Sequence, residues 1–107
     1  MIRGEVYWVD FEPARGGEIR KQRPAIIVSN DVSNRLLNRM QVVPLTSVTR
    51  RVYPSDALIK LNGVPHKAMA NQIRTVAKER LHGRIEMLGR YDLFAVEDAI
   101  RVQLGLR

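Results

Sequence analysis

Between Gly16 and Ser29 the chain passes from a charged, glycine-opened loop straight into the apolar run Ala25-Ile26-Ile27-Val28. A run this short and this rich in β-branched side chains suits a strand of the core. A rigid strand that holds a charged loop at a fixed place is a common way to build a site. Glu18 lies in the loop and Arg23 at the threshold of the strand. A carboxylate and a guanidinium meeting there can grip a phosphodiester or help to cleave it. They can equally form an ordinary surface ion pair.

Several chemistries are excluded by composition. There is no cysteine, which removes disulfides, thiolate catalysis and cysteine-ligated zinc. His66 and His82 are the only imidazoles and stand far apart in sequence, so neither a metal nor a cofactor is expected. The 107 residues suit one domain, 1–107, with a single core. A net charge of +7 on so short a chain points to a polyanionic partner: nucleic acid, an acidic protein or an anionic surface. The N-terminal Met-Ile-Arg-Gly-Glu lacks the apolar core of a signal peptide, and no apolar run approaches the roughly 20 residues that span a membrane. A cytoplasmic protein with no membrane partner is expected.

Taken in order, Glu5–Phe11 alternates as a first strand, with Val6 and Trp8 on one side and Tyr7, Val9 and Phe11 on the other. Residues 14–22 form a positive loop in which Gly16-Gly17 permits unusual backbone angles or simply makes a turn. Residues 23–29 are the second strand, followed by a short helix or turn capped by Asn30 or Asp31. Residues 40–46 read as a third strand that Pro44 makes an edge or bulges. An exposed basic loop follows, then a fourth strand at 56–61 and a tight turn at Asn62-Gly63. Residues 67–76 supply a fifth strand, split or whole, and 77–87 are ambiguous, with a helical turn near Glu79. Leu93, Val96, Ile100 and Leu104 define one face of a terminal helix that Gly105 closes. Five or so strands and this helix suggest a small, strongly twisted sheet or partly open barrel, mainly β with α, with the helix covering one side.

Three polar clusters fall at strand ends or loops: Glu18 with Arg23, Thr46 with Ser47, and Asn71-Gln72 with Arg74. A curled sheet can bring them together. The set then holds a cation for phosphate oxygens, hydroxyl donors, a carboxylate and amides able to read a base edge. RNA carries its own nucleophile, the 2′-hydroxyl, so an enzyme acting on it need only move protons and stabilise the phosphorane. Neither metal nor cofactor is required. Arginine is a poor base and a poor proton donor, so electrostatic stabilisation is the safer role for Arg23. The group that takes the 2′-hydroxyl proton stays open. Plainer readings remain open too: Thr46 and Ser47 as a strand end, Gln72 and Arg74 as the wet face of a strand, Trp8 as core, and Arg50-Arg51 as solvated charge.

The order of the motifs narrows these choices. Gly4–Pro13 (GEVYWVDFEP), Gly16-Gly17-Glu18 and Arg23–Ser29 (RPAIIVS), then Val43–Ser47 (VPLTS), Gln72–Val76 (QIRTV) and Leu104-Gly105-Leu106, together resemble the MazF/PemK toxin family over nearly the whole chain. The resemblance implies an SH3-like barrel of the CcdB/PemK type with a C-terminal helix, and a homodimer. It implies the toxin of a type II toxin–antitoxin system: a sequence-specific, metal-independent endoribonuclease (an mRNA interferase) that cuts single-stranded RNA to a 2′,3′-cyclic phosphate and a 5′-hydroxyl. Arg23, Thr46 and Glu18 match the family's catalytic positions. Trp8, Gly17, Arg20, Ser47, Asn71 and Gln72 would contact RNA, and an acidic, MazE-like antitoxin would occupy the same basic groove.

At Asn71 many relatives carry an acidic residue, and the PemK branch places an arginine and an aspartate where this chain has Met69 and Asn71. An amide in place of an acceptor-only carboxylate changes which base edge can be read, so the cut-site preferences of relatives do not transfer. A gyrase-poisoning protein of the same fold and a non-catalytic RNA-binding module are the competing readings. RNA cleavage lost on changing Arg23 separates both from a nuclease.

Overall fold

The structure, a computed structural model, describes all 107 residues. It contains β1 (Glu5–Asp10), β2 (Gln22–Ile27), α1 (Asp31–Leu36), β3 (Arg39–Thr46), β4 (Asp56–Leu61), β5 (Val64–Met69), β6 (Arg74–Ala77), β7 (Leu81–Met87) and α2 (Arg90–Leu104). Short 3₁₀ turns at Ala70–Gln72 and Lys78–Arg80 flank β6. Every ladder is antiparallel, in the order β4-β5-β3-β2-β1-β7, with β6 alongside β3. A mainly β, curled antiparallel sheet with a C-terminal helix is the architecture expected, with seven strands where the sequence suggested about five.

The continuous apolar run of β2 is explained by burial on both faces, which removes the usual alternation. Ile26 joins one cluster with Val6, Val43, Leu45 and Val96, whereas Ala25 and Ile27 join a second with Val9, Phe11, Met40 and Val42. β1 divides as its alternation predicts, with Val6 in the first cluster and Val9 and Phe11 in the second. Trp8 shares the side of Val6 but is 44% exposed and takes no part in the core.

The third strand corrects the sequence reading. β3 is not an edge: it pairs with β2 on one side, and on the other with β6 as far as Val42 and with β5 from Leu45. Pro44, which has no N–H to donate, falls in the gap where that partner changes, and the unshifted register against β2 ends at its pair with Ala25. The segment 67–76 is indeed split, by the 3₁₀ turn whose Ala70 is fully buried and whose backbone N–H donates to Ser55 O at 3.1 Å. The ambiguous segment 77–87 contains the expected helical turn and then β7, whose period is blurred by two register shifts against β1. Asn62 and Gly63 adopt φ of 50° and 79° and make the tight turn between β4 and β5.

α1 is capped by Asn30, whose side chain accepts from Ser33 N at 2.9 Å. Asn30→Ala is expected to lower stability by about 1 kcal/mol, read as a shift of the urea midpoint. α2 lays Val96 and Ala99 into the first cluster, flanked by Leu93 and Ile100. Leu104 is not part of that buried face, being 53% exposed in the last turn. Gly105 ends the helix at φ 68°, where Leu106 N donates to Arg101 O at 2.8 Å.

Glu5 is the one buried acid, and it ties the N-terminus to β7. Its carboxylate accepts from Ile2 N at 2.6 Å and from Arg84 Nε, and lies 3.5 Å from the terminal ammonium. Burial alone would raise the carboxyl, but the Ile2 amide, Arg84 and the ammonium outweigh it and hold it below the usual 4.5. A depressed carboxyl favours the folded state where it is ionised. That contribution is full above about pH 4.5 and is lost as pH falls through the depressed value. The stability gap between the wild type and Glu5→Gln is therefore expected to narrow on acidification below that pH, measured by denaturant melts across the range.

Candidate active site

The β1–β2 loop is pinned at its base and folded back over the second cluster. Phe11 N donates to Lys21 O, Lys21 N to Glu12 Oε1, both at 2.9 Å, and Arg80 Nη1 reaches the carbonyls of Asp10 (3.1 Å) and Glu12. Lys21 takes a left-handed backbone, φ 63°, to close this turn. Ile19 packs against the second cluster and fastens the middle of the loop from below. Gln72 fastens it from the side. Its Nε2 donates to Gly17 O at 3.1 Å and its Oε1 accepts from Ile19 N at 3.2 Å.

Glu18 and Arg23 do not pair. The Glu18 carboxylate accepts from Arg15 N at 2.5 Å inside its own turn, and Arg23 Nε donates to Arg20 O at 3.2 Å. The loop's charges are thus used to shape the loop, leaving the rest of the Arg23 fork uncommitted to a carboxylate. The expected meeting of carboxylate and guanidinium gives way to two local bonds.

Arg23 and Thr46 are related by register alone, with no bond between them. The β2–β3 ladder ends at Ala25–Pro44, and carrying its antiparallel register on by two residues sets Arg23 opposite Thr46. By strand alternation both point to the face of the second cluster, as does Arg74 of β6, whose guanidinium lies 5.6 Å over the Phe11 ring. Thr46 Oγ1 accepts from Val48 N at 3.2 Å, so its hydroxyl proton remains available to donate. Ser47 is exposed just beyond.

Two grooves flank this point. One, of about 320 Å³, is lined by Glu18, Asn71, Gln72, Ile73 and Arg74. The other, of about 570 Å³, is lined by Val48, Arg50, Arg51 and Lys67. Lys67 stands opposite Thr46 on β5 and donates from Nζ to Arg51 O at 2.8 Å. Gly17, Arg20 and Asn71 are exposed around the loop. Trp8 is the outlier: its ladder partners Pro24 and His82 place it on the opposite face from Arg23. Sequence reasoning passed over Lys67 and Arg80, which sit in no motif and gain their places only through long-range pairing.

A family model for the PemK-like, MazF-like toxin of type II toxin–antitoxin systems matches residues 2–104. The chain belongs to this toxin family. The toxin is 40% identical, over 115 aligned positions, to endoribonuclease MazF9 of Mycobacterium tuberculosis, covering 99% of this chain and 98% of that relative. It is 30% identical to endoribonuclease EndoA of Bacillus subtilis, covering 97% of this chain and 94% of EndoA. Among solved structures, MazF of Deinococcus radiodurans superposes with a TM-score of 0.85 at 25% identity, over 99% of this chain and 97% of that one. A mycobacterial endoribonuclease in complex with its cognate antitoxin gives 0.84 at 26% identity, over 100% and 97%. No helix of the toxin is long and apolar enough to cross a membrane.

Proposed function

We propose that this toxin is a sequence-specific endoribonuclease that cleaves single-stranded RNA, mRNA included, with no metal or cofactor. The reading is supported by the β2–β3 register, which, carried on beyond the Ala25–Pro44 pair, sets Arg23 opposite Thr46 at the end of the strand that follows the Glu18 loop. A phosphodiester laid across that face has its non-bridging oxygens within reach of a guanidinium fork and a hydroxyl donor. The 2′-oxygen attacks phosphorus as its proton departs, and the bond to the 5′-oxygen breaks as that oxygen gains a proton. A 2′,3′-cyclic phosphate and a 5′-hydroxyl result. Arg23 stabilises the phosphorane, Thr46 donates to it, and Glu18 positions or assists proton transfer.

Flanking nucleotides lie against Gly17, Arg20, Ser47 and Asn71, with Trp8 contacting a more distant part of the strand. The protein works in the cytoplasm as a homodimer. Val102, Leu104 and Leu106 at the end of α2 are exposed apolar side chains that a second copy could cover. An acidic antitoxin silences it by covering the basic groove. The test is a long single-stranded RNA in excess EDTA with antitoxin-free protein. Discrete cuts are expected, and intact RNA would overturn the reading in favour of a non-catalytic binder.

A further inference from the structure

From the two bonds of its amide to the loop, we infer that Gln72 is a positioning residue, which holds the loop bearing Glu18 in its working shape and does not read a base. The inference rests on the nuclease reading above. An amide reads a base edge with its donor and acceptor together, and Gln72 already commits one N–H and one oxygen lone pair to the loop, two bonds that fix the orientation of its amide. Its N–H₂ group serves the Gly17 carbonyl and its oxygen serves the Ile19 amide, one on each side of Glu18. The carboxylate is thereby bracketed.

The strut stands on a firm footing. Gln72 closes the 3₁₀ turn whose Ala70 is fully buried in the first cluster, and Ile73 N returns to Ala70 O at 3.1 Å. The other restraints on the loop between its pinned base and its tip are local: the two bonds between Arg15 and Glu18, the Arg23 Nε–Arg20 O bond and the packing of Ile19. Asn71, the neighbouring amide, is exposed at the same groove and is the one placed to meet a base. The two adjacent amides thus have separate tasks.

The experiment compares wild type, Gln72→Glu, Glu18→Ala and the double variant on a long single-stranded RNA in EDTA, with amide exchange at Ile19 followed without RNA. Gln72→Glu keeps an acceptor for Ile19 N but loses the donor to Gly17 O and sets a carboxylate against that carbonyl. Its single-turnover rate at saturating RNA is expected to fall about 10- to 100-fold, with the cut motif and the KM for RNA unchanged and Ile19 exchange accelerated. Adding Glu18→Ala to Gln72→Glu is expected to cost less than it does in the wild type, because the carboxylate is already misplaced. Gln72→Asn, an amide too short to span to the loop, is expected to behave like Gln72→Glu. An altered cut motif with unchanged Ile19 exchange would overturn the inference and make Gln72 a base reader. If wild type leaves RNA intact, the nuclease reading fails by itself. Ile19 exchange then still decides the strut: faster exchange in Gln72→Glu upholds it and unchanged exchange removes it.

Discussion

Replacing Arg23 with alanine is expected to lower the single-turnover rate of RNA cleavage by about 10²–10³, the usual cost of one preorganised donor to a developing anion. The fold should be spared. Arg23 lies at the open end of the β2–β3 ladder, is partly exposed, and makes its one bond through Nε to a loop carbonyl. A thermal midpoint within a few degrees of wild type would therefore accompany the loss of rate. Arg23→Lys keeps the charge but not the planar fork, so it is expected to recover only part of the rate. Undiminished cleavage by Arg23→Ala would remove Arg23 from the chemistry while leaving the nuclease in place.

Phe11→Ala is expected to be the most destabilising single change discussed, at about 3–5 kcal/mol for a fully buried aromatic truncated in a packed core. Phe11 is the bulkiest side chain of the second cluster, which it shares with Val9 and Ile27. Its ring lies under Arg74, and its N–H holds the base of the β1–β2 loop through Lys21 O. A cavity there loosens the floor on which Arg23, Thr46 and Arg74 stand. Urea melts should show the loss of stability, and Phe11→Leu, which fills most of the space, should restore most of it. A Phe11→Ala protein as stable as wild type would mean that the second cluster is not a core.

The contrast between these two residues shows why parts of the molecule were legible in sequence. The β1 alternation, the β2 run and the capped α1 are local patterns, and each element forms where its pattern lies. The candidate residues Arg23 and Thr46 were singled out through motifs at the ends of such elements, and they lie just beyond the last β2–β3 ladder pair, Ala25–Pro44. What stayed hidden depends on pairing. Pro44 argues for an edge until β6 and β5 are seen to share the far side of β3. The strand β7 has no clean period because its partner β1 meets it with two register shifts. Glu18 and Arg23 lie close in sequence, yet each bonds to its own turn. The double duty of Gln72 joins residues far apart in the chain, where no spacing rule applies.

The most direct test of the account uses an RNA cut by the wild type at one mapped position, in EDTA, beside the same strand with a single 2′-deoxy nucleotide immediately 5′ to that position. The all-ribose strand is expected to be cut to a 2′,3′-cyclic phosphate and a 5′-hydroxyl, and the deoxy strand to stay whole. Cleavage of the deoxy strand at the same bond would contradict this, because the nucleophile would then come from somewhere other than the RNA.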